Sequence, residues 1–385
     1  MSEYKYKIMK NSRRLFAAVL CLVLLFALVG CGGEKPASTL AGDAETAALE
    51  AARICRESIE NGADMDGVLA ALGAAGYAAV DEAGRRAFVN ADKLRAFAAS
   101  MAEGKLAGAG YVRVCADGGV VYTAFYYADT WHCKSIRVSE TDGDAEGEIT
   151  FTSDYALTDF RISDKGYLIY TCDIPDNTAP SKYDGYIVPT TMLRLDRRDE
   201  SIAAYDKYVV SIGYNANRLF TRSWSHDDLT GVNLNDVFLS LWRAEHGAYL
   251  YYFDNPYPAL DGTSYSLVPK TEFETLVSKY IAADETALVA ASVYNAEHSA
   301  YPIEVTTAHR DDSVPIPEVT AVRENEDGTV TLTVDALFVE RATDRAFTHL
   351  VTLKPRPDGS MVMTANERLY SPDDIEYDYE SCFER

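Results

Sequence analysis

Apolar positions along this chain change period twice. Residues 48–59 carry Ala48, Leu49, Ala52, Cys55 and Ile59 close to helical spacing. A second short helix is predicted over 66–72, ending near Gly73 or Gly76, and Asn90 is placed to cap a third over 91–103, stopped by Gly104. Between the last two, "DEAG" flanked by short apolar runs reads as a hairpin. The period then drops to two. "YVRVCADGGVVYTAFYYADTWHCKSIRV" and "EITFTSDYALTDFRISDKGYLIYTCDIP" alternate as strands, with turns at Asp117-Gly118 and Lys165-Gly166, and "YDGYIVPTTMLRL" adds one strand more.

Helical spacing returns after residue 226. Asn235 is placed to cap "DVFLSLWRAEH", which Gly247 ends. Phe273, Leu276, Val277, Tyr280 and Ile281 form a one-sided stripe behind Thr271-Glu272-Phe273-Glu274, which has the pattern of a capping box. The last part is β again. Val330, Leu332 and Val334 alternate with Thr329, Thr331 and Thr333, so one face is expected to be buried. Phe347, His349, Val351 and Leu353 alternate likewise, and Asp327-Gly328 and Asp358-Gly359 mark turns. The fold class is α+β: N-terminal helices with an antiparallel sheet, then a C-terminal unit of helices on a curved antiparallel sheet. By fold analogy this last unit resembles cystatin or nuclear-transport-factor-2-like proteins.

The first thirty residues follow neither period. Lys5, Lys7, Lys10, Arg13 and Arg14 precede an apolar run of about 15 residues, Leu15 to Val29. As a helix this run is roughly 22 Å long, short of a hydrocarbon core of roughly 30 Å. A positive entry, a short apolar run and a small residue are the parts of a secretory signal. The junction Leu28-Val29-Gly30-Cys31 resembles the lipobox of bacterial lipoproteins. The resemblance implies that the Cys31 thiol takes a diacylglyceryl group through a thioether, is freed by cleavage before it, and carries palmitate-type acyl chains. Two or more chains anchor a protein stably where one is marginal. The expected division is a signal peptide over 1–30, a flexible tether over 31–46 reaching roughly 20 Å, an α+β domain over 47–225, a second over 226–370, and an acidic, mobile tail over 371–385. The expected location is the extracytoplasmic face of the cell membrane.

Charge is compatible with that placement. The chain carries −23; residues 1–30 hold five positive side chains and one negative, so without them the charge is −27. Such a surface repels nucleic-acid phosphates and anionic headgroups, so no nucleic-acid partner is expected and lipid must hold the protein at the membrane. Cys55, Cys115, Cys133, Cys172 and Cys382 remain after Cys31, without metal-ligand spacing. An extracytoplasmic site permits disulfides, but the strand-like surroundings of Cys115, Cys133 and Cys172 favour buried free thiols.

Several stretches resemble an uncharacterised family of Firmicutes lipoproteins known only as a domain of unknown function: "VSIGYNANRLF" with Trp224 just after it, "NLNDVF", "PKTEFETLVSKYI", "DGTVTLTVDALF", "DRAFTHLVTLKP" and "DGSMVMTAN". The resemblance spans roughly residues 209–366 and implies the surface of a Gram-positive cell, but no activity. Where that family shows His-Glu-Val in the late strand, this chain has His349-Leu350-Val351.

Chemistry is sparse. No GxSxG, HExxH, phosphate-binding loop or dinucleotide-binding glycine pattern occurs. His132, His226, His246, His298, His309 and His349 are scattered, and no cofactor, metal or catalytic residue is predicted. Asp142, Asp144 and Glu146 imitate the start of a calcium loop, but Ser153 stands where its bidentate Glu belongs, so a solvated acidic turn is the better reading. "WSHDD" sets His226 beside Asp227 and Asp228, residues equally at home before a helix. The Tyr-rich stretch over 248–267 either packs over its own domain or offers a face for sugar rings or a protein partner. Tyr249, Tyr251, Tyr252 and Tyr257 are its candidate ligand-binding residues. The expected function is therefore a membrane-anchored binding or scaffolding lipoprotein, its partner an envelope glycan or another protein. The alternatives are a hydrolase of envelope glycan or peptide, which calls for two facing carboxylates, and a solute-binding lipoprotein of a transporter, which the lack of a repeated βαβ pattern disfavours.

Overall fold

The computed structural model describes residues 37–82, 88–139, 147–175, 189–248, 250, 254–260, 262–305 and 314–377. It is a mixed α+β protein whose chain divides into two compact units: residues 1–83, 89–157 and 173–187 in the first, and 84–88, 158–172 and 188–385 in the second.

In the first unit α1 (Ala37–Glu60) and α2 (Met65–Ala74) are followed by β1 (Ala78–Asp81), α3 (Asp92–Ala102), β2 (Ala109–Val114), β3 (Val120–Tyr127), β4 (Trp131–Ser139) and the first part of β5 (Glu148–Ile162), with strand order β1-β2-β3-β4-β5. α1 begins at Ala37, inside the stretch read as tether. Its inward face is Ala44, Ala48, Ala51 and Cys55, joined by Val68, Leu69 and Leu72 of α2 against Val112, Val114, Val120, Tyr122, Ala124, Ile136 and Val138. Three alanines and a cysteine at helical spacing let the helix lie close on a sheet of bulky side chains. On the other face Phe97 of α3 stacks on Phe125 at 5.7 Å and meets Trp131 edge-on at 5.5 Å.

Two local expectations change here. β1 pairs with β2 in parallel, and among the described residues only the bridge Ala79–Val89 represents the hairpin expected around residues 81–84. Asn90 does not cap α3. It sits at φ +51° and donates through Nδ2 to the Gly73 and Tyr77 carbonyls, both at 2.8 Å, tying α3's start to the end of α2.

The second unit holds the last part of β5 with β6 (Tyr167–Asp173) and β7 (Thr190–Arg194), and α4 (Glu200–Ala203). α5 (Leu234–His246), α6 (Lys270–Tyr280) and α7 (Glu285–Ala290) accompany the pair β9 (Tyr265–Pro269) and β10 (Ala300–Glu304). A five-stranded antiparallel sheet runs β11-β12-β13-β14-β8, from β11 (Ile316–Glu324), β12 (Val330–Phe338), β13 (Thr343–Pro355), β14 (Met361–Leu369) and β8 (Trp224–Ser225). Phe238 of α5 stacks on Phe273 of α6 at 5.2 Å, and Phe273 on Tyr301 of β10 at 4.1 Å. The alternation along β12 puts Leu332, Val334 and Ala336 in the same core.

The α6 stripe is where the sequence places it, while the caps differ. Asn233, not Asn235, caps α5, accepting from the Asn235 amide at 3.0 Å, and Gly247 closes the helix at φ +70°. α6 starts one residue before Thr271, so the capping box does not form; Glu274 accepts from Lys270 and from Tyr301 instead. β12 is buried on both faces, against the expectation of one, because Tyr167, Ile169 and Met192 of β6–β7 pack on Leu337 of its second face. Residues 371–377 are docked, in contrast to the mobile tail expected. The Ile375 amide donates to the Ala346 carbonyl at 2.8 Å, and Tyr377 meets Phe338 edge-on at 6.0 Å.

Candidate functional site

Three polar clusters stand out from the packing. The deepest lies in the second unit. After Val209 the chain bends through Gly213 at φ +64° and Ala216 at φ +54°, a left-handed conformation that glycine tolerates and alanine adopts under strain. The bend is held by Asn217, fully buried, whose amide donates to the Asn215 carbonyl and Ser240 Oγ, both at 3.0 Å, and accepts from the Leu219 amide. It aims Tyr214 inward at His349 of β13.

His349 has no exposure. The Tyr214 hydroxyl donates to its Nε2 at 2.9 Å, and its Nδ1–H donates to Asn366 Oδ1 at 2.6 Å. Asn366, on β14, donates in turn to the Arg222 carbonyl at 2.7 Å, so its oxygen must face the ring, and this fixes the tautomer. Phe220 stacks on the imidazole at 5.2 Å, and Tyr214 and Phe347 flank it. Burial drives the imidazole's pKa down to about 3, helped by nearby Arg368, and burial pushes the Tyr214 phenol up. A neutral ring with both nitrogens bonded and both faces packed acts as a cross-brace between the strands and the 214–222 loop. It has no room to accept a substrate's proton.

The quoted sequence motifs meet around this brace. "VSIGYNANRLF" supplies Tyr214, Asn217 and Phe220; the Trp224 indole donates to the Leu219 carbonyl at 2.7 Å; "DRAFTHLVTLKP" supplies Phe347 and His349; "DGSMVMTAN" supplies Asn366. "NLNDVF" contributes a second satisfied amide. Asn235 donates to the Pro302 and Val293 carbonyls at 2.6 and 3.0 Å and accepts from the Val293 amide at 2.8 Å.

The second cluster pairs two buried carboxylates, Glu318 of β11 and Asp335 of β12, which stand opposite each other in the strand register. Opposed positions put Cβ atoms about 4.5–5.5 Å apart, so the like charges require compensation. Arg194 Nη2 donates to Glu318 at 2.5 Å, Arg198 lies 3.6 Å away, and the Tyr167 hydroxyl donates to it as well. Asp335 is held by the Lys165 ammonium and by Thr348 Oγ1 at 2.5 Å. Burial and the neighbouring Glu318 raise the Tyr167 phenol. Neighbouring carboxylates are what a glycan hydrolase calls for, but β6–β7 roofs this pair and each carboxylate has its own cation. Neither Glu318 nor Asp335 stood out in the sequence. Asp335 continues the threonine row of β12, which alternation alone assigns to solvent.

The third cluster is in the first unit, at the β3–β4 turn. Asp154 of β5 accepts from the Tyr126 hydroxyl at 2.5 Å and faces His132 Nδ1 at 3.1 Å, while Asp129 Oδ1 faces His132 Nε2 at 3.2 Å. Tyr126 stacks on the imidazole at 5.3 Å. The hydrogen bond with His132 holds the Asp129 carboxyl below the usual range, and burial together with Asp154 raises the Tyr126 phenol.

Among the described residues no group of three His, Cys, Asp or Glu side chains could hold a metal ion, and no helix is long and apolar enough to cross a membrane. Cys55, Cys115, Cys133 and Cys172 are buried. Cys115 lies near the start of β3 and Cys133 opposite Phe125, five positions on from Val120, so about 17 Å of strand separates them, beyond disulfide reach. Tyr257 packs over its own domain at 8% exposure, its hydroxyl donating to Glu272 at 2.6 Å and its ring edge-on to Trp242 and Phe238. His226 and Asp227 are solvent-exposed and 3.3 Å apart, and Asp228 accepts from the Thr230 amide in a turn. Cys31, Tyr249, Tyr251, Tyr252, Asp142, Asp144, Glu146 and Cys382 lie outside the described residues.

A model for a family of unknown function (DUF6070) matches residues 38–381, and the chain belongs to that family. No curated protein and no solved structure matches it.

Proposed function

We propose that this protein is a lipid-anchored lipoprotein of the extracytoplasmic membrane face that binds or scaffolds an envelope glycan or another protein. The observation that carries the proposal is Leu28-Val29-Gly30-Cys31 at the end of a charged-then-apolar leader. Cys31 is the lipid attachment point, since a thiol is nucleophilic enough to be alkylated at that position. Family membership starts at residue 38, seven residues after Cys31, which leaves the leader outside the family's own domain. The binding role is supported by how the acidic and imidazole groups in the second unit are used: Glu318, Asp335 and His349 are bonded to side chains of the same chain and serve its packing.

The test is metabolic labelling of the full-length chain with an alkyne fatty acid, followed by membrane fractionation. Labelled wild type in the membrane fraction, with Cys31→Ala unlabelled and released, is the expected result. An unlabelled wild type, or a Cys31→Ala chain equally bound to membrane, overturns it.

A further inference from the structure

The His132 cluster differs from the other two in that its hydrogen bonds cannot all exist with a neutral ring. His132 Nδ1 and Nε2 face two different carboxylates, Asp154 Oδ1 at 3.1 Å and Asp129 Oδ1 at 3.2 Å, and ionised carboxylates only accept. An imidazolium has an N–H for each. A neutral ring has one, and its other nitrogen then turns a lone pair toward a carboxylate oxygen. The two nitrogens point away from each other, so no single metal ion could take their place and serve both acids.

What the two contacts join is specific. Asp154 belongs to the interior of β5, where it also receives Tyr126 of β3. Asp129 belongs to the turn between β3 and β4, where it accepts from the Thr130 amide at 3.0 Å and is otherwise open to solvent. His132 is thus a peg between a fixed strand and a free turn. That turn leads into Trp131, which packs edge-on against Phe97 of α3 and Tyr127 of β3.

The other charges near the ring are accounted for. Lys134, two positions along β4, stands opposite Asp154 in the strand register and pairs with Glu45 of α1 at 3.4 Å. Tyr126 of β3 donates to Asp154, so it adds no second acceptor at the ring. The side chain of His132 is about one-quarter exposed, at 23%, so protons reach it without unfolding.

From this we infer that His132 is a proton-operated peg: protonated, it fastens the Ala128–Thr130 turn to β5, and deprotonated, it lets the turn go while the rest of the unit stays folded. Imidazoles change charge between about pH 5 and about pH 8.

The experiment is hydrogen exchange followed by mass spectrometry on the full chain at about pH 5 and about pH 8, corrected for the intrinsic pH dependence of exchange. In the wild type, corrected protection of residues 127–132 falls on the order of threefold to tenfold at the higher pH, the loss of one charge-assisted bond at a partly exposed site. His132→Gln removes the proton and gives the same protection at both values. Asp154→Asn places an N–H opposite Nδ1 and keeps an oxygen for Tyr126, so a neutral ring becomes fully bonded and the turn stays protected at about pH 8. Equal protection of the wild type at both pH values overturns the inference, as does a His132→Gln or Asp154→Asn chain that retains the wild-type pH dependence.

Discussion

His132 and His349 are both flanked by a tyrosine and by oxygen acceptors, and their surroundings give them opposite tasks. His349 has one acceptor, Asn366, and one donor, Tyr214, so the neutral ring satisfies everything around it. His132 has two acceptors and is partly exposed. The lesson is that partner type, counted as donors against acceptors, decides whether an imidazole is a fixed brace or a titrating peg. Burial then decides what an error costs. In the core an unmet bond is lost outright, whereas at the turn water replaces it.

The largest expected effect is at the brace. His349→Ala leaves the Tyr214 hydroxyl and Asn366 oxygen without partners beside a new cavity and should cost about 3–5 kcal/mol in urea unfolding. A cost near that of a surface change would erase the contrast between the two histidines. Next is the roofed carboxylate pair. Lys165→Met leaves Asp335 with Thr348 alone and should cost about 2–4 kcal/mol, while adding Asp335→Leu should recover most of that loss. Failure of the double variant to recover would mean that Lys165 acts through its stem and its bond to the Asp344 carbonyl rather than through the ion pair.

Acid sharpens the comparison further. The folded His349 value of about 3 lies below the roughly 6.5 of an unfolded imidazole. Protons therefore bind the unfolded chain first. The contribution of His349 is complete above about pH 6.5 and is lost as pH falls through that window toward about 3, by about 1.4 kcal/mol per unit. Unfolding near pH 5 should take up about one proton at this site, and calorimetry in buffers of different ionisation enthalpy reads that number. His349→Gln should flatten the slope. Smaller still is Tyr257→Phe, where Glu272 keeps access to water and the loss should stay under about 1 kcal/mol. His132→Gln should change global stability by less than about 0.5 kcal/mol, because its contacts lie at the surface.

Local order was legible where one short stretch decides it. The turns at Gly118, Gly166, Gly328 and Gly359 all have positive φ, which the Asp-Gly and Lys-Gly pairs announced. The α6 stripe also stands as read, with Phe273, Leu276 and Val277 buried, because amphipathic period is a property of the segment itself. Caps were less legible: Asn90 and Asn235 have the right type for an N-cap, yet both are used to tie distant backbone together. The candidate site was legible in its parts only. His349 was visible on an inward-facing strand position, but Tyr214 is 135 residues away from it.

By itself the sequence determined the α+β class, the charge and the turns, since each depends on composition or on neighbours within a few positions. Only the tertiary structure decided which polar residues are buried and whom they meet. The second face of β12 shows why. Its Thr331, Thr333 and Asp335 read as a solvent row, and Asp335 became interior when Tyr167, Ile169 and Met192 packed over that face and Lys165, Tyr167 and Arg194 met its carboxylates. Period reports which side chains share a face. Whether that face meets water or another layer depends on segments over a hundred residues away.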